Sequence, residues 1–240
     1  MNLTEDNTVA EIVIKNIKTA DVFKKYGIDF CCGGGITLKK ACDKKNISLE
    51  KLEKELVNIH NSTSKSYNYD SWKLDFLADH IEQIHHAYVA ENTPILLQYA
   101  EKVAKVHGHH YVEVIKINKL FKAVAQELAA HMKKEELILF PFIKRLVKAD
   151  REGVKVKMPH FGSVNNPITM MEEEHESAGN ILKEIKQLSN NYTPPDGACN
   201  TFKALYAKLD EFEQDLHEHI HLENNILFPK AIILEQINNQ

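Results

Sequence analysis

A chain of 240 residues and 27.5 kDa has room for one large domain or two modest ones. Nine glycines and seven prolines are about 7% of it, against roughly 12% in average usage, and so turn-poor a chain argues against a sandwich or barrel. With 27% charged and 43% hydrophobic residues it is not a disordered chain, no apolar run approaches the roughly 18 residues of a membrane span, and a net charge of −4 gives no electrostatic case for nucleic acid or an anionic membrane as partner.

The first residues, Met-Asn-Leu-Thr-Glu-Asp-Asn, are not basic and lead into no uninterrupted apolar stretch, so no secretory signal is read and a cytoplasmic protein is expected. Residues 1–60 read as a small helical domain. Thr8 and Glu11 have the spacing of a capping box. Thr19 is the expected cap of a second helix that Gly27 stops, Thr37 of a third and Ser48 of a fourth running to about His60. Between the second and third lies Asp29-Phe30-Cys31-Cys32-Gly33-Gly34-Gly35, a glycine-rich turn. Neighbouring Cα atoms sit about 3.8 Å apart, below the roughly 4.4–6.8 Å of a disulfide, so Cys31-Cys32 reads as a thiol pair. Its place ahead of a helix N-terminus favours thiolates, and the glycines let a partner approach the backbone. The alternatives are a reactive or metal-ligating pair and a structural one, with nothing here to choose between them.

Residues 61–71 are polar and serine-rich and read as a linker. From Trp72 to the end, 72–240, the pattern is four long helices, at about 72–106, 112–149, 168–189 and 199–236, and short connections make that an antiparallel bundle. The expected fold is therefore all-α. Pro94 is a candidate kink, and Pro141 and Pro229 should each kink or close their helices.

An internal repeat organises this half. His131-Met-Lys-Lys-Glu135-Glu-Leu-Ile-Leu-Phe-Pro141 matches His219-Ile-His-Leu-Glu223-Asn-Asn-Ile-Leu-Phe-Pro229 at an offset of 88 residues. Each copy ends an apolar stripe: Phe121, Val124, Leu128, His131, Glu135, Ile138, Phe142 in one, and Phe202, Leu205, Leu209, Phe212, Leu216, His219, Glu223, Ile226 in the other. His and Glu four apart project from one helix face, into positions where Leu is expected. A carboxylate facing a bundle core is costly unless paired or metal-bound, and two related breaches point to one polar site.

Partners come from the other helices. His175 joins the stripe Met171, Ala178, Leu182, Ile185, and His86 lies 45 residues before His131 much as His175 lies 44 before His219. A single His on an apolar face is ordinarily a hydrogen-bonded core residue, and for His86 alone that reading stands. Helical phase favours His85 over His86; the repeat spacing favours His86. Four imidazoles and two carboxylates are too many for one tetrahedral zinc and suit two bridged, octahedral-leaning ions, with iron the natural choice and manganese or zinc open. Of the 13 histidines, His107, His109, His110, His160, His217 and His221 are expected to be exposed or in loops, and Glu172-Glu173-Glu174 a solvated first turn.

The Cys-Cys-Gly-Gly motif in a short helical domain, followed by this His/Glu bundle, resembles the iron-sulfur cluster repair di-iron family, the RIC proteins of the ScdA and YtfE type, over nearly the whole chain. The resemblance implies a hemerythrin-like four-helix bundle holding two non-haem irons, bridged by the glutamates, on His86, His131, Glu135, His175, His219 and Glu223. It places the first-helix ligand on His86 and implies that Cys31 and Cys32 act in function, as reactive or iron-transfer thiols. It implies repair of clusters damaged by oxidative or nitrosative stress, with damaged iron-sulfur proteins as clients and nitric oxide or O2 as small ligands. O2-carrying hemerythrins have a further histidine where this chain has Met171, leaving one iron more open. Nitric oxide reduction at the di-iron centre, O2 or nitric oxide sensing or storage, and a homodimer are the alternatives that stay open.

Overall fold

The computed structural model describes residues 4–60, 67–157 and 159–239. Four short helices come first: α1 (Val9–Lys15), α2 (Thr19–Lys25), α3 (Leu38–Lys45) and α4 (Leu49–His60). The capping box on α1 is complete, with Glu11 N–H donating to Thr8 Oγ1 and Thr8 N–H donating to Glu11 Oε2. Thr37 caps α3 and Ser48 Oγ accepts from Lys51 N–H. Thr19 caps nothing: it is the first residue of α2, and its hydroxyl donates to Asn16 O. Of the expected linker, 61–66 lie outside the described residues, and Tyr69–Ser71 form one 3-10 turn.

The bundle is built from α5 (Leu74–His80), α6 (Ala87–His107), α7 (Glu113–Lys134), α8 (Phe140–Glu152), α9 (Asn165–Leu188), α10 (Asn200–Leu222) and α11 (Phe228–Asn238). These make four rods. A π turn at Ile81–His86 joins α5 to α6, one at Glu135–Leu139 joins α7 to α8, one at Glu223–Leu227 joins α10 to α11, and α9 stands alone. Each rod packs on two others in a closed ring, α6 on α7, α7 on α9, α9 on α10 and α10 on α6. Among the described residues there is no strand, and no helix is long and apolar enough to cross a membrane.

The prolines neither end nor break their rods. Pro141 and Pro229 sit at the start of α8 and α11, just past a π turn. Proline lacks the N–H that would bond four residues back, and its ring crowds that carbonyl. The wider turn absorbs the mismatch: Phe140 N–H reaches back five residues to Glu135 O, and Phe228 N–H to Glu223 O.

One extra residue per π turn changes which side chains face inward. Ile138, expected in the core, is 39% exposed, and Leu139 takes its place at 1%. Every other stripe residue named from the sequence, on α7 to α11, is buried. Buried apolar side chains form two clusters, one from the four short helices through the far end of the bundle and one from Tyr69 and α5 to α8 and α11. The polar residues of the stripes lie where α6, α7 and α10 leave the first cluster for the second.

Candidate metal centre

Glu135 and Glu223, the first residues of two π turns, are fully buried, and His86, His131, His175 and His219 are at most 3% exposed. They form two overlapping groups, His86, Glu135, His219, Glu223 and His131, Glu135, His175, Glu223, in each of which the candidate donor atoms lie within 4.8 Å of one another. Glu135 Oε2 is 3.3 Å from His86 Nε2 and 3.2 Å from His131 Nε2. Glu223 is 3.1 Å from His175 Nε2 through Oε2 and 3.1 Å from His219 Nε2 through Oε1.

The outward ring nitrogens are held from behind. His86 Nδ1 is 2.8 Å from Glu136 Oε1, His131 Nδ1 is 2.9 Å from Glu174 Oε2, and His175 Nδ1 is 2.8 Å from Asn224 Oδ1. Such partners fix the ring and the tautomer, leaving the Nε2 lone pairs turned inward. Phe140 stacks on His86 and Phe228 on His175, again 88 residues apart.

The inward-facing atoms have no adequate protein partners. Both oxygens of Glu135, both of Glu223, His86 Nε2 and His219 Nε2 are buried without a hydrogen bond. His131 Nε2 and His175 Nε2 face each other at 3.0 Å, though only one of two such nitrogens can donate. Orphaned acceptors converging from four rods are what a bound cation satisfies, and imidazole with carboxylate is a transition-metal donor set. The residues present therefore fit metal binding.

Burial and Glu223 push Glu135 up, but His131 and His86 outweigh them and hold it below the usual carboxylate range. Burial raises Glu223 too, yet His219 and His175 hold it well below. For His131 burial works downward, and Glu135 overrides it, raising the imidazole to about 9. His219 goes the other way, lowered by its complete burial.

All six residues named from the sequence as metal ligands thus meet. His85, the competitor, is also buried, because the π turn at Ile81–His86 turns both histidines inward; its Nδ1 is 3.0 Å from Asp215 Oδ1 and its ring stacks on His219. Three histidines expected outside are not: His221 is 1% exposed and His217 half-buried, since Phe30 packs on both rings, and His107 is half-buried at the end of α6 against Phe202. Glu172–Glu174 are no first turn, for α9 begins at Asn165, and Glu174 is engaged with His131 and Lys134. Glu136, Glu174 and Asn224 were missed from the sequence. The signal was available, since each adjoins a candidate ligand and Glu136 and Asn224 are matched by the repeat.

Cys31 is buried, Cys32 exposed, and neither is in a disulfide. The thiolate expectation fails for Cys31. Its hydrogen bond with Cys32, its burial and the carboxylate of Asp29 all push the thiol up, and the helix N-terminus lies further on, at Thr37. The glycines serve the chain's own turn: a Cβ on Gly34 would come within 2.5 Å of Phe30 O, whereas one on Gly35 would meet nothing within 4 Å.

Comparison with known proteins agrees with this architecture. Residues 5–60 match the ScdA_N family, a domain of unknown function, and residues 77–231 match the hemerythrin HHE cation binding domain. Proteins named iron-sulfur cluster repair protein YtfE, from Yersinia pseudotuberculosis serotype IB (strain PB1/+) and Yersinia pestis (strain Pestoides F), are each 37% identical over 227 residues, 95% of this chain and 97% of theirs. With that identity along nearly its full length, the chain belongs to the family of the YtfE-type iron-sulfur cluster repair proteins, an ScdA_N domain followed by a hemerythrin HHE cation binding domain.

Proposed function

We propose that this chain is a cytoplasmic stress protein that helps restore iron-sulfur clusters damaged by nitric oxide or oxidants, and that His86, His131, Glu135, His175, His219 and Glu223 hold two non-haem irons with both glutamates bridging. The observation that carries the reading is the pair of buried two-His, two-Glu groups sharing both carboxylates. The names of the Yersinia relatives support the client class, damaged iron-sulfur proteins. In this reading residues 1–60 present the thiol pair, 61–71 link, and 72–240 form the metal-bearing bundle.

When bound, the irons supply redox-active positions for nitric oxide or O2 and a source of iron for a client. The chain's own part is to place and shield them. Glu136, Glu174 and Asn224 orient three imidazoles, Phe140 and Phe228 cover two of them, and Cys32 stands exposed where a client can reach it. The test is to mix the iron-loaded protein with an enzyme whose [4Fe–4S] cluster nitric oxide has damaged. Reactivation faster than from an equal amount of free ferrous ion is expected, and equal rates would overturn the repair reading.

A further inference from the structure

The thiol loop and the metal centre meet at one side chain. Asn224 follows Glu223 on the π turn. Its Oδ1 is 2.8 Å from His175 Nδ1, and its Nδ2 donates to Cys32 Sγ at 3.8 Å. The next residue, Asn225, donates to Phe30 O at 3.4 Å and Cys31 O at 3.2 Å and lies 3.0 Å from His221 Nδ1. Two adjacent amides thus hold the backbone and one thiol of the loop against the turn that carries a candidate ligand.

The repeat shows what is particular to this half. At the matching places stand Glu136, which backs His86 but has no N–H to offer a second group, and Leu137, which is 74% exposed. An amide can accept from an imidazole on one side while donating to sulfur on the other, which a carboxylate cannot do. Its direction depends on His175. A cation on Nε2 makes Nδ1–H a fixed donor, which points Oδ1 at the ring and leaves Nδ2 for Cys32. Without the cation the ring is free to turn, and the amide loses that anchor.

We propose that Asn224 is a positioning residue that links metal occupancy at His175 to closure of the Cys31-Cys32 loop. This rests on the metal reading above and adds that the two domains sense one another through a single amide. Linkage of this kind is reciprocal, so the closed loop also tightens the hold on the metal.

The full-length protein, stripped with a chelator and reloaded anaerobically with ferrous ion, provides the test. Metal content is measured, then the cysteines are labelled with N-ethylmaleimide over time and read by peptide mass spectrometry. Cys31 is buried and reacts only when the loop opens, while Cys199, exposed at the start of α10, is the internal control. Iron should slow labelling of Cys31 about five- to tenfold, the lower range of measured couplings, and leave Cys199 unchanged. Asn224→Asp keeps the acceptor for His175 and removes the donor to Cys32; it should bind iron yet lose the protection. Equal labelling of the wild type with and without bound iron overturns the linkage alone. Full protection in Asn224→Asp does so too, since iron then protects the thiols by another route. A chain that takes up no ferrous ion overturns the metal reading as well.

Discussion

Glu136 and Asn224, 88 residues apart, have the same task in the two halves of the bundle: each follows a buried glutamate on a π turn and holds Nδ1 of a histidine from a neighbouring rod at 2.8 Å. Glu174 does the equivalent for His131. Removing such a partner ordinarily costs ten- to a hundredfold in metal affinity, because the imidazole is freed to turn and becomes a poorer donor. Glu136→Ala and Glu174→Ala should each fall in about that range, and Glu136→Gln, which retains an acceptor, should lose less. Competition against a chromophoric chelator measures this, and unchanged affinity in all three would show that the outward partners do not set the ligands.

The six converging residues were legible because the repeat is a property of sequence and burial follows its stripe. His131 with Glu135 and His219 with Glu223 break two matched apolar patterns at one spacing, which chance rarely does. What was not legible is everything that a π turn changes. A 3.6-residue period carries no mark of an inserted residue, so it put Ile138 inside and forced a choice between His85 and His86, when both are buried. The hydrogen-bond partners behind the imidazoles come from other helices, at separations of 43 to 50 residues, and no local pattern fixes those. His221 was misread because what covers it, Phe30, belongs to the other domain.

The shifted register makes a direct prediction. Leu139, buried against the second apolar cluster, should cost about 2–5 kcal/mol when cut back to Ala. Ile138→Ala should cost under about 1 kcal/mol, since much of the side chain is already in water. Chemical denaturation of the two variants decides it, and a larger loss at Ile138 would mean the rod runs as an unbroken α-helix.

Glu135→Leu and Glu223→Leu test the shared carboxylates. Each glutamate belongs to both four-residue groups, so either change should remove most of the bound metal rather than half. Each change leaves buried imidazoles without their carboxylate, and breaking a buried pair in this way ordinarily costs about 3–5 kcal/mol, so the metal-free variants should melt below the metal-free wild type. Metal analysis and thermal melts of stripped protein give both readings. Variants that keep their full metal content would show that the glutamates do not bridge.

Gly34 and Gly35 should differ sharply although they are neighbours. Ala at 34 would drive a Cβ into Phe30 O and against Ala10, both fixed by backbone, at a cost of about 1–3 kcal/mol. Ala at 35 meets nothing within 4 Å and should be tolerated. Since Phe30 O is also an acceptor for Asn225, Gly34→Ala should open the loop and speed labelling of Cys31, while Gly35→Ala leaves that rate as it was.

Trp72, the only tryptophan, gives the fold an optical reporter of pH. Its ring lies edge-on to His80 at 5.0 Å, and Tyr69 packs on both. Burial and then the neighbouring His85 lower His80 below its ordinary 6.5. A histidine depressed in the folded state binds fewer protons there than in the unfolded chain. Its contribution to stability is therefore complete above pH 6.5 and is lost as pH falls through the lower, folded value. Trp72 emission should accordingly change with a midpoint below 6.5, and the melting temperature should decline over the same interval. His80→Gln, neutral throughout, should abolish the emission change and flatten that part of the stability profile. A transition of the same size and midpoint in His80→Gln would assign it to another group.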